Sequence, residues 1–298
     1  MNCFLLIACC VATQTAAPAT SRVWEQSDLG FTAIFPMANA PYPHASRENG
    51  FKNGDTNYPR DPHYVDNSVA LFIPKTYRPA ERVDLLVYFH GHNNNLRKAF
   101  DQYKLREQIV ASKQNVILVF PEGPKDAADS GCGKLEEPGG LKRLTDEVLD
   151  TLAAEGKIHS KPLGRVLLAG HSGAYRVLSC CVKHGGLEDH VAAVALLDSS
   201  YGQLDNFVDW AARRPNGRLF SIFTDHLAAE NVYLMTRLAK RGLPYALLDE
   251  ADAGETDIAK HRLLFLHTQR LKHDETVTWL EKWLRAVGPS GKIPDTRP

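Results

Sequence analysis

The sequence predicts an α/β protein, a mostly parallel central sheet with helices on both of its faces. Three observations carry that expectation. From residue 67 to residue 288, short apolar, β-branched runs alternate with amphipathic segments, the pattern of successive βα units. The runs are apolar along their whole length, as strands buried on both faces are. One of them, "RVLLAG" (165–170), breaks into Gly170-His171-Ser172-Gly173-Ala174 and resumes at helical spacing, so a strand feeds a helix through a sharp turn.

The elements follow in order. Residues 21–66 are rich in Pro, Gly, Asn and aromatics, which favours an irregular arm lying over the main domain. The expected strands are "SVALFIP" (68–74), "VDLLVYFH" (83–90), "NVILVFP" (115–121), "RVLLAG" (165–170), "VAAVALLD" (191–198), "RLFSIFT" (218–224) and "RLLFLHT" (262–268). The expected helices cover 96–112, 139–156, 173–185, 230–242 and 275–288. In the second of these, Leu141, Leu144, Val148, Leu149 and Leu152 recur at helical spacing and Gly156 supplies a stop. Residues 244–254 and the tail 289–298 read as loop or edge structure. With no repeat and no composition break after Asp66, residues 67–288 read as one domain.

Composition narrows the function. The 298 residues are 44% hydrophobic and 23% charged, enough apolar matter for a sizeable core. Lys and Arg together number 35, as do Asp and Glu, so no basic surface is available for nucleic acid or an anionic membrane. The start, "MNCFLLIACCVATQTAAPATS", has a short apolar stretch and a small, polar tail, and reads over residues 1–20 as a targeting segment. "LIAC" also resembles a lipoprotein signal, which would place a lipid on Cys9 and attach the chain to a membrane. An extracytoplasmic location follows. Three cysteines remain outside this segment, Cys132, Cys180 and Cys181, and they match no zinc spacing. In an exported chain, Cys132 has Cys180 or Cys181 as a partner.

The chemistry centres on Ser172. A serine on a strained strand-to-helix turn needs small residues two before and two after it, and Gly170 and Ala174 meet that need. The helix starting near Gly173 aims its backbone N–H groups and positive dipole end at the same point, where they stabilise an oxyanion. The bland alternative is a helix-capping serine. "VYFHGHNNN" (87–95) ends an earlier strand in His-Gly; Gly91 or His92 would give the second oxyanion N–H beside that of Gly173. His90 fits a role propping that loop.

Together, "FHGH", "GHSGA", the strand order and a late His make residues 83–283 resemble an α/β-hydrolase. The combination "FHGHNNN … DSGCGKLEEPGG … GHSGAYR … LLDSSYG" is similar to an exported bacterial group of hydrolase-like proteins. That resemblance implies the fold and serine chemistry and names no reactant. In this fold the acid and then the His follow the serine in the chain. His273, between the last strand and the last helix, is the preferred base, with His267 in reserve as a strand histidine. Asp198 ends one strand and Asp225 follows the next; Asp198 is preferred because it lies in the shared "LLDSSYG", and Asp225 is the reserve acid. Glu136, Glu137 and Tyr175 are candidates for the pocket wall, although two acidic residues ahead of a helix are also what its dipole favours. No H-E-x-x-H or calcium-loop spacing occurs, so neither metal nor cofactor is expected. The substrate is then a small molecule or peptide. An ester hydrolase working through Ser172, His273 and Asp198 leads, with a peptidase or amidase acting on cell-wall or other extracytoplasmic peptides, or an inactive binding protein on the same scaffold, as alternatives.

Overall fold

In the computed structural model, which describes residues 22–288, each expected apolar run is a strand. In chain order the strands are β1 (Glu25–Ser27), β2 (Gly30–Pro36), β3 (Phe51–Asn53), β4 (Thr56–Tyr58), β5 (Ser68–Pro74), β6 (Val83–Phe89), β7 (Ile117–Pro121), β8 (Leu163–His171), β9 (Val191–Leu197), β10 (Arg218–Phe223), β11 (Ala246–Asp249) and β12 (Leu263–His267). The helices are a one-turn α1 (Arg60–His63), α2 (Leu96–Gln102), α3 (Leu105–Ser112), α4 (Gly140–Ala154), α5 (Tyr175–His184), α6 (Leu204–Arg213), α7 (Ala228–Lys240), α8 (Glu255–Lys260) and α9 (Leu280–Ala286). The described residues form a ten-stranded sheet in the order β1-β2-β5-β7-β6-β8-β9-β10-β12-β11, with β3 and β4 as a separate hairpin. From β7 to β11 every pairing is parallel; β1, β2 and β5 extend the sheet antiparallel.

Alternate residues of each central strand feed opposite cores. Leu85, Val87, Val166 and Leu168 pack with apolar residues of α4 to α7, while Leu86, Tyr88, Leu167 and Ala169 pack with those of α2, α3, α8 and α9. Both faces are therefore covered, which is why the runs are apolar throughout. The chain runs from β6 outward to β7, then crosses back over β6 to β8. The C-terminal ends of β6 and β8 thus flank the point where the winding reverses, the place where open α/β sheets bind ligands.

Several elements differ from the expectations, the six-residue α8 and the short elements of the arm among them. Within the segment expected to be irregular, β2 pairs with β5 in full register, from Gly30 opposite Pro74 to Pro36 opposite Ser68; flanking Gly and Pro, and Thr32 within it, mask the mostly apolar run Phe31 to Phe35 in the sequence. The rest of that segment holds the short β1, the β3–β4 hairpin and the one-turn α1, joined by irregular chain. The single helix expected over 96–112 is broken, with Lys104 in the left-handed region at φ +48°. The break keeps Leu105 and Ile109 on the sheet and turns the Tyr103 hydroxyl toward His171, 3.2 Å away. Helix α6 was not expected, yet Leu204, Phe207, Val208 and Ala211 bury one stripe of it; Residues 244–254 supply the edge strand β11. The targeting segment 1–20, Cys9 and the tail 289–298 lie outside the described residues. Among those described, no helix is long and apolar enough to cross a membrane.

Candidate active site

Strand β8 delivers Ser172 at φ +55°, a left-handed conformation that costs a residue bearing a Cβ. A 3₁₀ turn, Ser172–Ala174, then leads directly into α5. Sterics show why the flanking residues are small. A Cβ on Gly170 would lie 2.7 Å from that of Ala174 and 3.0 Å from Leu178 Cδ1. Gly91, just beyond β6, faces the same serine: a Cβ there would lie 2.6 Å from Ser172 Cβ. A Cβ on Gly173 would overlap the His92 ring. The hydroxyl of Ser199 donates to the Ser172 carbonyl at 2.7 Å and ties the turn to the end of β9.

Asp198, fully buried and itself at φ +48°, follows β9. His273 begins the 3₁₀ segment His273–Trp279 after β12, and its Nδ1 donates to Asp198 Oδ2 at 2.7 Å. Asp198 also accepts from the Thr224 N–H and the Thr224 hydroxyl, each at 2.9 Å. Burial opposes ionisation of this carboxyl, but the hydrogen bonds from His273 and Thr224 outweigh it and hold it below the usual carboxylate range. An ionised Asp198 accepts only, so His273 keeps its proton on Nδ1 and leaves Nε2 unprotonated to serve as a base. The His171 ring packs on that of His273, centroids 4.4 Å apart, and donates from Nε2 to the His273 carbonyl at 3.2 Å. Burial, and then the neighbouring His273, push His171 down to about 4, so it is neutral near pH 7.

The reserve candidates lie together elsewhere. Asp225 and His267 are 2.7 Å apart, on the far side of β9 from Ser172, with the His267 ring stacked on Phe223. Neither is hydrogen-bonded to Asp198 or His273. His90 is buried under the Gly91 turn, between the Gly91 carbonyl at 2.8 Å and Glu122 at 2.9 Å. Burial lowers its pKa, but Glu122 more than offsets that and leaves it raised. Nε2 of His92 lies 2.7 Å from the Ser130 hydroxyl, and burial lowers its pKa. Glu136 is paired with Arg176 at 2.6 Å, and Glu137 with Arg143 at 2.6 Å, which gives both carboxylates protein partners. The half-buried Tyr175 packs against Tyr201, centroids 5.9 Å apart. The sulfurs of Cys132 and Cys180 are 3.9 Å apart, while Cys181 is buried separately.

Sequence reasoning did not single out Tyr201, His226 and Thr224, which crowd the same corner. Tyr201 stood inside the quoted "LLDSSYG", a usable signal; Thr224 and His226 carried none. Among the described residues, two groups could hold a metal ion: Asp198 with His226 and His273, and His171 with His273 and Asp274. Both groups share His273, and their side chains already have protein hydrogen-bond partners.

No protein-family model matches the sequence, and no curated protein matches it. Solved structures do. A mutant of the feruloyl esterase module from Clostridium thermocellum, complexed with sinapinate, is 15% identical over 89% of this chain and 96% of its own, with a TM-score of 0.52. A ferulic acid esterase is 13% identical over 74% of this chain and 92% of its own, with a TM-score of 0.50. At such identities the likeness is one of architecture: the chain has the α/β-hydrolase fold, its strained serine turn at the winding reversal of the sheet.

Proposed function

We propose that the protein is a serine hydrolase that cleaves a carboxylic ester through an acyl-enzyme. The observation that carries this reading is the hydrogen bond from His273 to the buried, ionised Asp198, one strand from a serine held in a left-handed turn. Ser172 Oγ attacks the carbonyl carbon while His273 Nε2 takes its proton. Asp198 holds the imidazole in the required tautomer and stabilises the imidazolium. Backbone N–H groups of Gly173 and of Gly91 or His92 receive the oxyanion. His273 then protonates the departing alcohol, and water repeats the sequence on the acyl-serine. Two solved structures of this architecture are esterases by name, which favours an ester over an amide. The leader-like residues 1–20 support an extracytoplasmic site of action, with Cys9 as the candidate lipid anchor; the mass of the mature chain tests both.

Fluorophosphonate labelling is the direct test. Wild type labels; Ser172→Ala does not, and its ester hydrolysis falls by roughly 10⁴-fold or more. Labelling that persists in Ser172→Ala would overturn the proposal. A panel of p-nitrophenyl esters run beside peptide anilides separates the ester from the amide reading.

A further inference from the structure

Asp198 serves two imidazoles. The Thr224 hydroxyl that donates to Asp198 Oδ2 also lies 2.6 Å from His226 Nδ1, and His226 Nε2 lies 2.8 Å from the Tyr201 phenol. Burial raises the Tyr201 pKa, and the Ser172 hydroxyl draws it partly back, so the serine lies beside this branch. The rings are packed in place: Tyr201 lies 5.7 Å from His226 and 6.5 Å from His273, and His226 meets His273 edge to face at 5.4 Å.

The direction of each hydrogen bond follows from counting protons. Ionised Asp198 can only accept, so the one proton of the Thr224 hydroxyl goes to Oδ2. The Thr224 oxygen must then accept from His226, which places a proton on Nδ1. A neutral imidazole protonated on Nδ1 has a lone pair on Nε2, so Tyr201 donates there. The phenolic oxygen is left to accept the proton of Ser172. Tyr201, His226, Thr224 and Asp198 thus form one hydrogen-bonded chain, with Ser172 beside its Tyr201 end.

We propose that Tyr201 is a further catalytic residue acting on Ser172, with His226 as the base behind it, so that the site holds a second proton path beside His273. The proposal rests on Ser172 being the nucleophile. As Ser172 Oγ bonds to the acyl carbon, its O–H breaks and the proton passes to the Tyr201 oxygen. Tyr201 gives its own proton to His226 Nε2 in the same step, so no phenolate accumulates. The resulting imidazolium lies 3.8 Å from Asp198 Oδ2, whose negative charge balances it. The reverse transfer, through Tyr201, protonates the leaving alkoxide. His273 is the shorter route and carries most of the flux; the branch shows itself when His273 is gone.

The test uses single and double variants of the full chain on one p-nitrophenyl ester, with thermal melting as the folding control. Tyr201→Phe keeps the ring and its packing and removes only the hydroxyl. Alone it lowers kcat by less than about twofold, because His273 still carries most of the flux, with KM little changed. His273→Ala retains roughly 10- to 100-fold more activity than Ser172→Ala, and adding Tyr201→Phe or His226→Gln removes that residue of activity. Tyr201→Phe with His226→Gln costs no more than either change alone, as members of one relay do. Equal rates for His273→Ala with and without Tyr201→Phe overturn the branch, as does a His273→Ala rate no higher than that of Ser172→Ala. A Ser172→Ala variant as active as wild type instead overturns the nucleophile, a separate failure.

Discussion

Two residues of the site, Ser172 and Asp198, hold left-handed backbone that neither side chain favours. Each lies at the C-terminal end of a central strand, and there the Asp198 side chain meets His273. Neighbours enforce the turn at Ser172, where Gly170 and Ala174 touch and Gly91 lies against the serine. Gly91→Ala places a methyl 3.2 Å from Ser172 Oγ. We expect that change to lower kcat steeply and to cost about 1–3 kcal/mol of stability from overpacking, read from urea unfolding. The two carboxylates give a paired experiment. Asp198→Asn is expected to lower kcat by roughly 10⁴-fold through loss of the His273 tautomer. Asp225→Asn, whose partner is His267, leaves the rate near that of wild type.

At the scale of elements, the arm after β2 holds the loop behind the Gly91 turn. Arg47 makes two bonds to Asp129, at 2.6 and 2.9 Å, while stacking over Phe51. Asp129 in turn receives the Gly131 N–H at 2.8 Å, and the adjacent Ser130 contacts His92. Arg47→Ala leaves the buried Asp129 carboxylate without its cation and is expected to cost about 3 kcal/mol in urea unfolding. The same loop meets α5, the helix that follows Ser172, through Cys132 and Cys180. A hydrogen bond from Cys132 leads the effects that lower the Cys180 pKa, so Cys180 is the sulfur that attacks a disulfide oxidant. Treatment with oxidised glutathione is expected to join Cys132 to Cys180, with loss of two thiols and two hydrogens by mass; Cys181→Ser leaves the reaction intact and Cys180→Ser prevents it. The arm shows where composition misleads. Its Pro, Gly and aromatics suggested irregular chain, yet residues 51–63 hold the β3–β4 hairpin and α1, and β2 was hidden because its partner, β5, is remote in sequence.

For the whole molecule, buried His171 sets an acid limit. Its folded pKa is about 4 against 6.5 when unfolded, so between those values the unfolded chain binds the extra proton. Stability therefore falls as pH drops from about 6.5 to about 4. The urea midpoint of wild type is expected to decline across that window, and that of His171→Asn to decline less. The strands and the serine turn were legible in the sequence, because burial on both faces writes continuous apolar runs and a tight turn admits only small residues. Asp198 and His273 were preferred from the sequence over Asp225 and His267, but the contact between them and the branch through Thr224, His226 and Tyr201 were not legible there. Each depends on which strand end lies beside β8, a matter of sheet order, and local sequence has no term for distances between segments 25 to 100 residues apart.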